Sequence, residues 1–139
     1  MRWLLAALVT LVLHYSWEML QAPLFTDFVG MSVWEHAWPC FRAALGDLAI
    51  AAVSYGMAAL LVFRVGWPFQ DRWSVPFAIC VSCGLIVTVG FEIYALATDR
   101  WAYGPRMPIV AGIALAPLLQ WLVVPSLTLL TLQRVASLD

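Results

Sequence analysis

Trp3-Leu4-Leu5-Ala6-Ala7-Leu8-Val9-Thr10-Leu11-Val12-Leu13 runs without a break into His14-Tyr15-Ser16-Trp17-Glu18-Met19-Leu20-Gln21. The first part is apolar enough to enter a lipid bilayer. The second puts an imidazole, a carboxyl and a carboxamide at i, i+4 and i+7, which is one face of a helix. Ionisable groups inside a membrane segment are expensive and by default mark function. The stretch therefore predicts a membrane helix with a polar face turned to something inside the molecule.

Composition sets the class. The chain has 139 residues, 64% hydrophobic and 11% charged, where a soluble domain carries about 25% charged residues. The expected fold is all-α, an integral membrane four-helix bundle in one transmembrane domain, since about 20 residues make a span. Net charge is -1, so no basic footprint for nucleic acid exists. The first run lacks a small-residue cleavage site and carries polar residues late, so it is expected to stay as a span rather than be removed as a signal peptide. The three cysteines fall at mismatched depths, which argues against a disulfide framework. Cys80-x-x-Cys83 reads as small packing residues.

The spans are expected at about residues 3–21, 40–63, 75–98 and 109–132, with loops at 23–39, 64–74 and 99–108. The first loop is rich in aromatics, and Ser32 with Glu35 fits a capping box for a short interfacial helix over Ser32–Trp38. Pro108 suits the first turn of span 4, and Pro117 and Pro125 are expected to bend it. With both termini inside, four arginines (Arg2, Arg64, Arg72, Arg134) face the cytoplasm against three outside (Arg42, Arg100, Arg106). That favours N-in/C-in by a narrow margin.

Depth brings the polar residues together. Glu18 is late in span 1, Asp47 early in span 2 and Glu92 late in span 3. Because successive spans alternate in direction, all three lie towards one surface, each about 7–9 Å from its span's midpoint at 1.5 Å per residue. His14 lies a turn deeper, Gln21 nearer the surface, and Gln120 in the middle of span 4. Facing lipid, each charge would cost on the order of 2.5–3.5 kcal/mol at a helix centre; turned inward, they can share protons and hydrogen bonds. The expectation is one polar pocket beneath the first and third loops. Thr88 would share the Glu92 face, and Tyr55 would line the bottom. Trp17, Phe91, Trp101, Tyr103 and Trp121 would supply aromatic walls or a lid.

Carboxyls gathered in a medium of low dielectric cannot all be ionised, so one proton stays available for acid chemistry. Glu18, Glu92, Asp47 and His14 are the catalytic candidates, acting on a lipophilic small molecule without a cofactor. His14 and Glu18 with Asp47 or Glu92 is the set that would hold a metal, but two histidines in all make a poor ligand supply. Two other classes stay open. One is a proton- or metal-linked carrier working as a homo-oligomer. The other is a non-catalytic subunit of a larger membrane complex.

Residues 14–23, and Phe91-Glu92 with Asp99-Arg100-Trp101-Ala102-Tyr103-Gly104-Pro105-Arg106-Met107-Pro108, resemble a group of small bacterial multi-span membrane proteins. That resemblance implies the bacterial inner membrane and no particular activity. More distantly, a late-span Glu followed by a Trp-x-Tyr loop is similar to the integral-membrane lycopene cyclase and terpene cyclase group. This second resemblance implies that Glu18 and Glu92 protonate an isoprenoid, in a cyclase or isomerase reaction. The chain lacks that group's Pro-x-Glu-Glu pattern.

Overall fold

A computed structural model describes residues 1–70 and 74–136. Four helices dominate it: α1 (Arg2–Gln21), α2 (Val33–Val62), α3 (Ser74–Ala97) and α4 (Leu115–Ala136). Each is long and apolar enough to cross a membrane. α1 packs against α2 and α4, and α3 packs against the same two, which closes a four-membered ring. The all-helical expectation holds, with one two-residue hairpin as an addition. Asp71, Arg72 and Trp73 of the expected second loop, and the end of the tail beyond residue 136, lie outside the described residues.

The packing is inverted relative to a water-soluble bundle. Leu8, Val12, Leu60, Ile86 and Leu130 are exposed, while His14, Ser54, Gln120 and Thr128 are buried. Along α2 the buried stripe is Cys40, Ala44, Ala51, Ser54 and Ala58. Small and polar side chains at helix contacts, with large apolar ones outside, suit a lipid surround, where apolar burial gives no drive for helices to associate. Four such helices fit a multi-pass membrane protein.

Two boundaries differ from the sequence reading. α2 begins at Val33, so the expected interfacial helix and span 2 are one continuous element. The capping box forms: Glu35 Oε2 accepts from the Ser32 backbone N–H at 2.6 Å and from Ser32 Oγ at 2.7 Å. Pro39 lies inside the helix and removes the bond to the Glu35 carbonyl. Glu35 is exposed, so water can take that carbonyl and the helix continues.

The second difference is α4, which begins at Leu115 rather than near 109. Ile109–Val110 and Ile113–Ala114 pair as the antiparallel strands β1 and β2. The turn between them has φ of 51° at Ala111 and 82° at Gly112. Two successive positive φ values make the tight hairpin turn that matches strand twist. Pro108 therefore precedes a hairpin, and its carbonyl accepts from Leu115 N–H at 2.8 Å to start the helix. Pro117 falls in the first turn of α4, where a missing N–H costs nothing. Gln120 moves from the expected mid-span position to the second turn.

The two longer loops meet, as expected from their shared side. Thr26 N–H donates to Ala102 O at 3.0 Å and Gly104 N–H to Leu24 O at 2.8 Å, pairing Phe25 with Tyr103 as an antiparallel bridge. A Cβ at Gly104 would stand 2.7 Å from Leu24 O, so this seam requires glycine. At the other end of the bundle Trp67 is fully buried with Ala58, Cys80 and Leu129, and its indole N–H donates to Tyr55 O at 3.2 Å.

Candidate functional site

The end of α1, the upper half of α2, the end of α3 and the start of α4 enclose a cavity of about 760 Å³. Most of its wall is apolar: Phe25, Phe28, Met31, Ile50, Phe91 and Trp101 contribute. Four carboxyl residues reach it, Glu18, Asp27, Asp47 and Glu92, with Arg100 as the cationic member of the lining. Ala43, Gly46, Ala49 and Phe91 are lining residues that are also exposed, so the cavity opens sideways between α2 and α3.

Two hydrogen-bonded groups furnish its polar end. In the first, Gln120 is central. Its carboxamide nitrogen lies 2.8 Å from Asp47 Oδ2 and 2.8 Å from His14 Nδ1. An acceptor carboxylate on one side makes this atom the amide N–H₂, so it donates to His14 as well. The ring proton of His14 then sits on Nε2. Asp47 Oδ2 is 3.5 Å from His14 Nδ1, and the Glu18 carboxyl meets Asp47 and Gln120. Gln21 Nε2 donates to Glu18 Oε1 at 2.7 Å, and Trp17 Nε1 donates to Gln21 Oε1 at 3.0 Å. Helical spacing explains these last two bonds: residues 17, 18 and 21 are three and four apart.

Glu92 is the centre of the second group. It is buried, and its Oε2 accepts from the Tyr103 hydroxyl and, at a long 3.5 Å, from Trp101 Nε1. Burial, then the bond to Glu92, pushes the Tyr103 phenol up to about 12, while a bond from the Ala114 backbone N–H pulls the other way. Tyr103 thus remains a donor across the neutral range. The loop that carries it is held by the seam of Leu24 with Gly104 and Thr26 with Ala102, so Glu92 is oriented by a lid and not by its own helix.

No known protein family, curated protein or solved structure matches this chain.

Of the residues expected at the site, Glu18, Gln21, Asp47, Thr88, Phe91, Glu92, Trp101 and Gln120 line the cavity. Five take other places. His14 is fully buried behind Asp47 and Gln120. Trp17 acts through Gln21, and Tyr103 acts through Glu92. Trp121 is 1% exposed and packs on the back of His14, ring centroids 5.5 Å apart. It reaches there because α3 has Gly84, where a Cβ would stand 2.0 Å from the Trp121 ring. Tyr55, expected at the bottom of this cavity, instead lines a separate groove between α1 and α2. Among the described residues, no three His, Cys, Asp or Glu side chains converge as a metal would require, so the alternative ligand set built on His14 and Glu18 does not assemble there.

Cys40, Asp27 and Phe28 are among the lining residues that went unremarked as site candidates in the sequence. Cys40 comes into the wall because α2 starts about two turns earlier than the expected span 2. Asp27 and Phe28 enter because a short 3-10 turn, Thr26–Phe28, folds back over the bundle. His36 pins that turn through its bond to Phe28 O at 3.3 Å. Only the spacing of Phe28 and His36, eight residues apart across a turn, hinted at this.

Proposed function

We propose that this is a multi-pass membrane protein that takes a lipophilic small molecule, isoprenoid in type, from the bilayer into the lateral cavity and performs acid–base chemistry on it. The observation that carries the reading is an apolar cavity, open on the flank of the bundle, whose inner end presents carboxyls from three different helices. A flank opening suits a ligand that arrives within the lipid. Apolar walls with few convergent polar groups are the usual build of a small-molecule site.

Glu18 and Glu92 are the acid–base pair in this reading. Asp47 shares a proton with Glu18, since two carboxyls in contact away from water hold a single negative charge more readily than two. One carboxyl would protonate a carbon–carbon double bond, and the other would remove a proton from a neighbouring carbon. The sum is an isomerisation or cyclisation with no change of oxidation state and no need of a cofactor. Phe25, Phe28, Phe91 and Trp101 offer ring faces to a passing positive charge. Gln120 and Gln21 keep the carboxyl geometry, and Tyr103 holds Glu92 still.

The test is a pair of measurements on protein in native-lipid particles. Organic extraction and mass spectrometry should find a bound isoprenoid at near one equivalent. Glu18→Gln and Glu92→Gln should each lower conversion of that compound by about 10²-fold or more while leaving the protein folded. Full conversion in both variants would end the catalytic reading, and an empty cavity in particles known to contain isoprenoids would end the binding reading.

A further inference from the structure

The cavity is not the end of the buried polar structure. Below it, His14 Nε2 and Ser54 Oγ are fully enclosed and have no hydrogen-bond partner among the described residues, and a third enclosed atom, Thr128 Oγ1, has the Tyr55 hydroxyl as its polar neighbour. They come from three helices, α1, α2 and α4. An unpartnered buried polar atom costs about 1–3 kcal/mol, and two of them, with Thr128 Oγ1 close by, are hard to reconcile with a dry interior. Buried water normally satisfies such atoms.

Their placement has a direction. Thr10 lies one turn beneath His14 on α1, about 6 Å along the axis, and is 2% exposed. The Tyr55 hydroxyl stands beside both Thr10 and Thr128, with Cys80 of α3 also facing it. Thr10 and Tyr55 in turn line the groove of about 280 Å³ between α1 and α2, whose wall includes Trp3, Ala7, Ala52 and Val65 near the opposite end of the bundle. Ala51, a small residue of α2 at the level between Tyr55 and His14, belongs to that wall and is buried against the interior.

We propose that this column is a proton path between the groove and the Glu18–Asp47 pair, with Tyr55 and Thr10 at its lower mouth, His14 as the relay, and water held by Ser54 and Thr128 between them. His14 is faced by Asp47 from α2 and by Gln120 and Trp121 from α4, with Glu18 a turn above it on α1. The chemistry balances at the ring. With its proton on Nε2, His14 accepts one from Asp47 at Nδ1 when the Gln120 N–H swings off that nitrogen, and it releases the Nε2 proton to water below. It is left neutral with the proton on Nδ1. The return step takes a proton at Nε2 and gives the Nδ1 proton back to Asp47. No oxidant, metal or substrate is required. In the proposed reaction, on which only the purpose of this path rests, it resets the carboxyls after each turnover from the end away from the lipophilic ligand.

The test needs no substrate, so it can fail while the acid–base reading stands, and the reverse. Purified protein in lipid nanodiscs is given a pH jump, and the protonated-carboxyl C=O band is followed by time-resolved infrared spectroscopy. Asp47→Asn and Glu18→Gln assign the band. His14→Phe, and separately the near-isosteric pair Thr10→Val with Tyr55→Phe, should slow its appearance by about tenfold or more. Exchange into H₂¹⁸O should also shift an O–H stretch of enclosed water in the wild type. Wild-type rates in the Thr10/Tyr55 variant, a pair that never titrates, or no isotope-shifted enclosed water would each overturn the proposal. Should His14→Phe fail to fold, the hydroxyl variant and the isotope shift still decide it.

Discussion

Tyr103 shows how one side chain joins the lid to the site. Its phenol, ordinarily near 10, is pushed up to about 12 by burial and by its bond to Glu92. A group whose folded value is raised stabilises the fold fully below its unfolded value. That contribution is lost as the pH rises through the folded one. The Tyr103 contribution should therefore persist to about pH 10 and fade towards pH 12. Ultraviolet titration should show tyrosine ionising later than a free phenol, and Tyr103→Phe should lower the amplitude of that late step by one tyrosine. A wild-type titration unchanged by Tyr103→Phe would mean the phenol is not held by Glu92. The sequence pointed to Glu92 and to a Trp-x-Tyr loop separately. Their bond spans eleven residues and a direction change, and no local rule supplies it.

At the level of elements, the contact between α3 and α4 depends on Gly84. The Trp121 ring lies so close to the α3 backbone that a Cβ would overlap it, and the same ring backs His14. Gly84→Ala should destabilise the protein by about 1–3 kcal/mol, the usual cost of overpacking. A lowered unfolding temperature in detergent and a changed indole emission would report it, whereas unchanged values would mean that Trp121 sits elsewhere. Element boundaries were legible where a local interaction sets them. Ser32 and Glu35 start α2 as the capping box requires, and Gln21 ends α1 before Pro23. They were misread where a proline had two meanings. Pro39 looked like a break and is tolerated, since the bond it deletes ends at an exposed carbonyl. Pro108 looked like a helix start and leads into a hairpin, because Ala111-Gly112 supplies the two positive φ values a tight turn needs.

For the whole molecule, the inside-out packing carries the clearest prediction. Trp34, Trp38 and Phe63 are exposed near helix ends, and Leu4, Leu8, Ile86 and Leu130 are exposed along the helices. In bilayers of brominated lipid, indole fluorescence should be quenched strongly for bromine near the headgroups, where exposed tryptophans gather. Trp67 and Trp121, each 1% exposed, should supply a residual emission that bromine at any depth leaves alone. Complete quenching, or none, would contradict this arrangement of the helices. The lateral cavity and the α1–α2 groove lie at opposite ends of the same bundle, so their relation is a property of the assembled ring and of no single helix.

What the sequence determined by itself is the number of helices, their apolar exteriors and the common depth of Glu18, Asp47 and Glu92. Hydropathy and the alternation of span direction are local or additive, and they survive without knowing which helix touches which. Tertiary structure alone decided the partners. Gln120 joins His14 to Asp47 because α4 begins six residues later than its apolar run, which raises that side chain to the carboxyl level. Tyr55 turns away from the carboxyls into the other groove because rotation about a helix axis is set by packing against neighbours. His14-Tyr15-Ser16-Trp17-Glu18-Met19-Leu20-Gln21 announced that a polar face was aimed inward. Only the closed ring of four helices fixed what it meets.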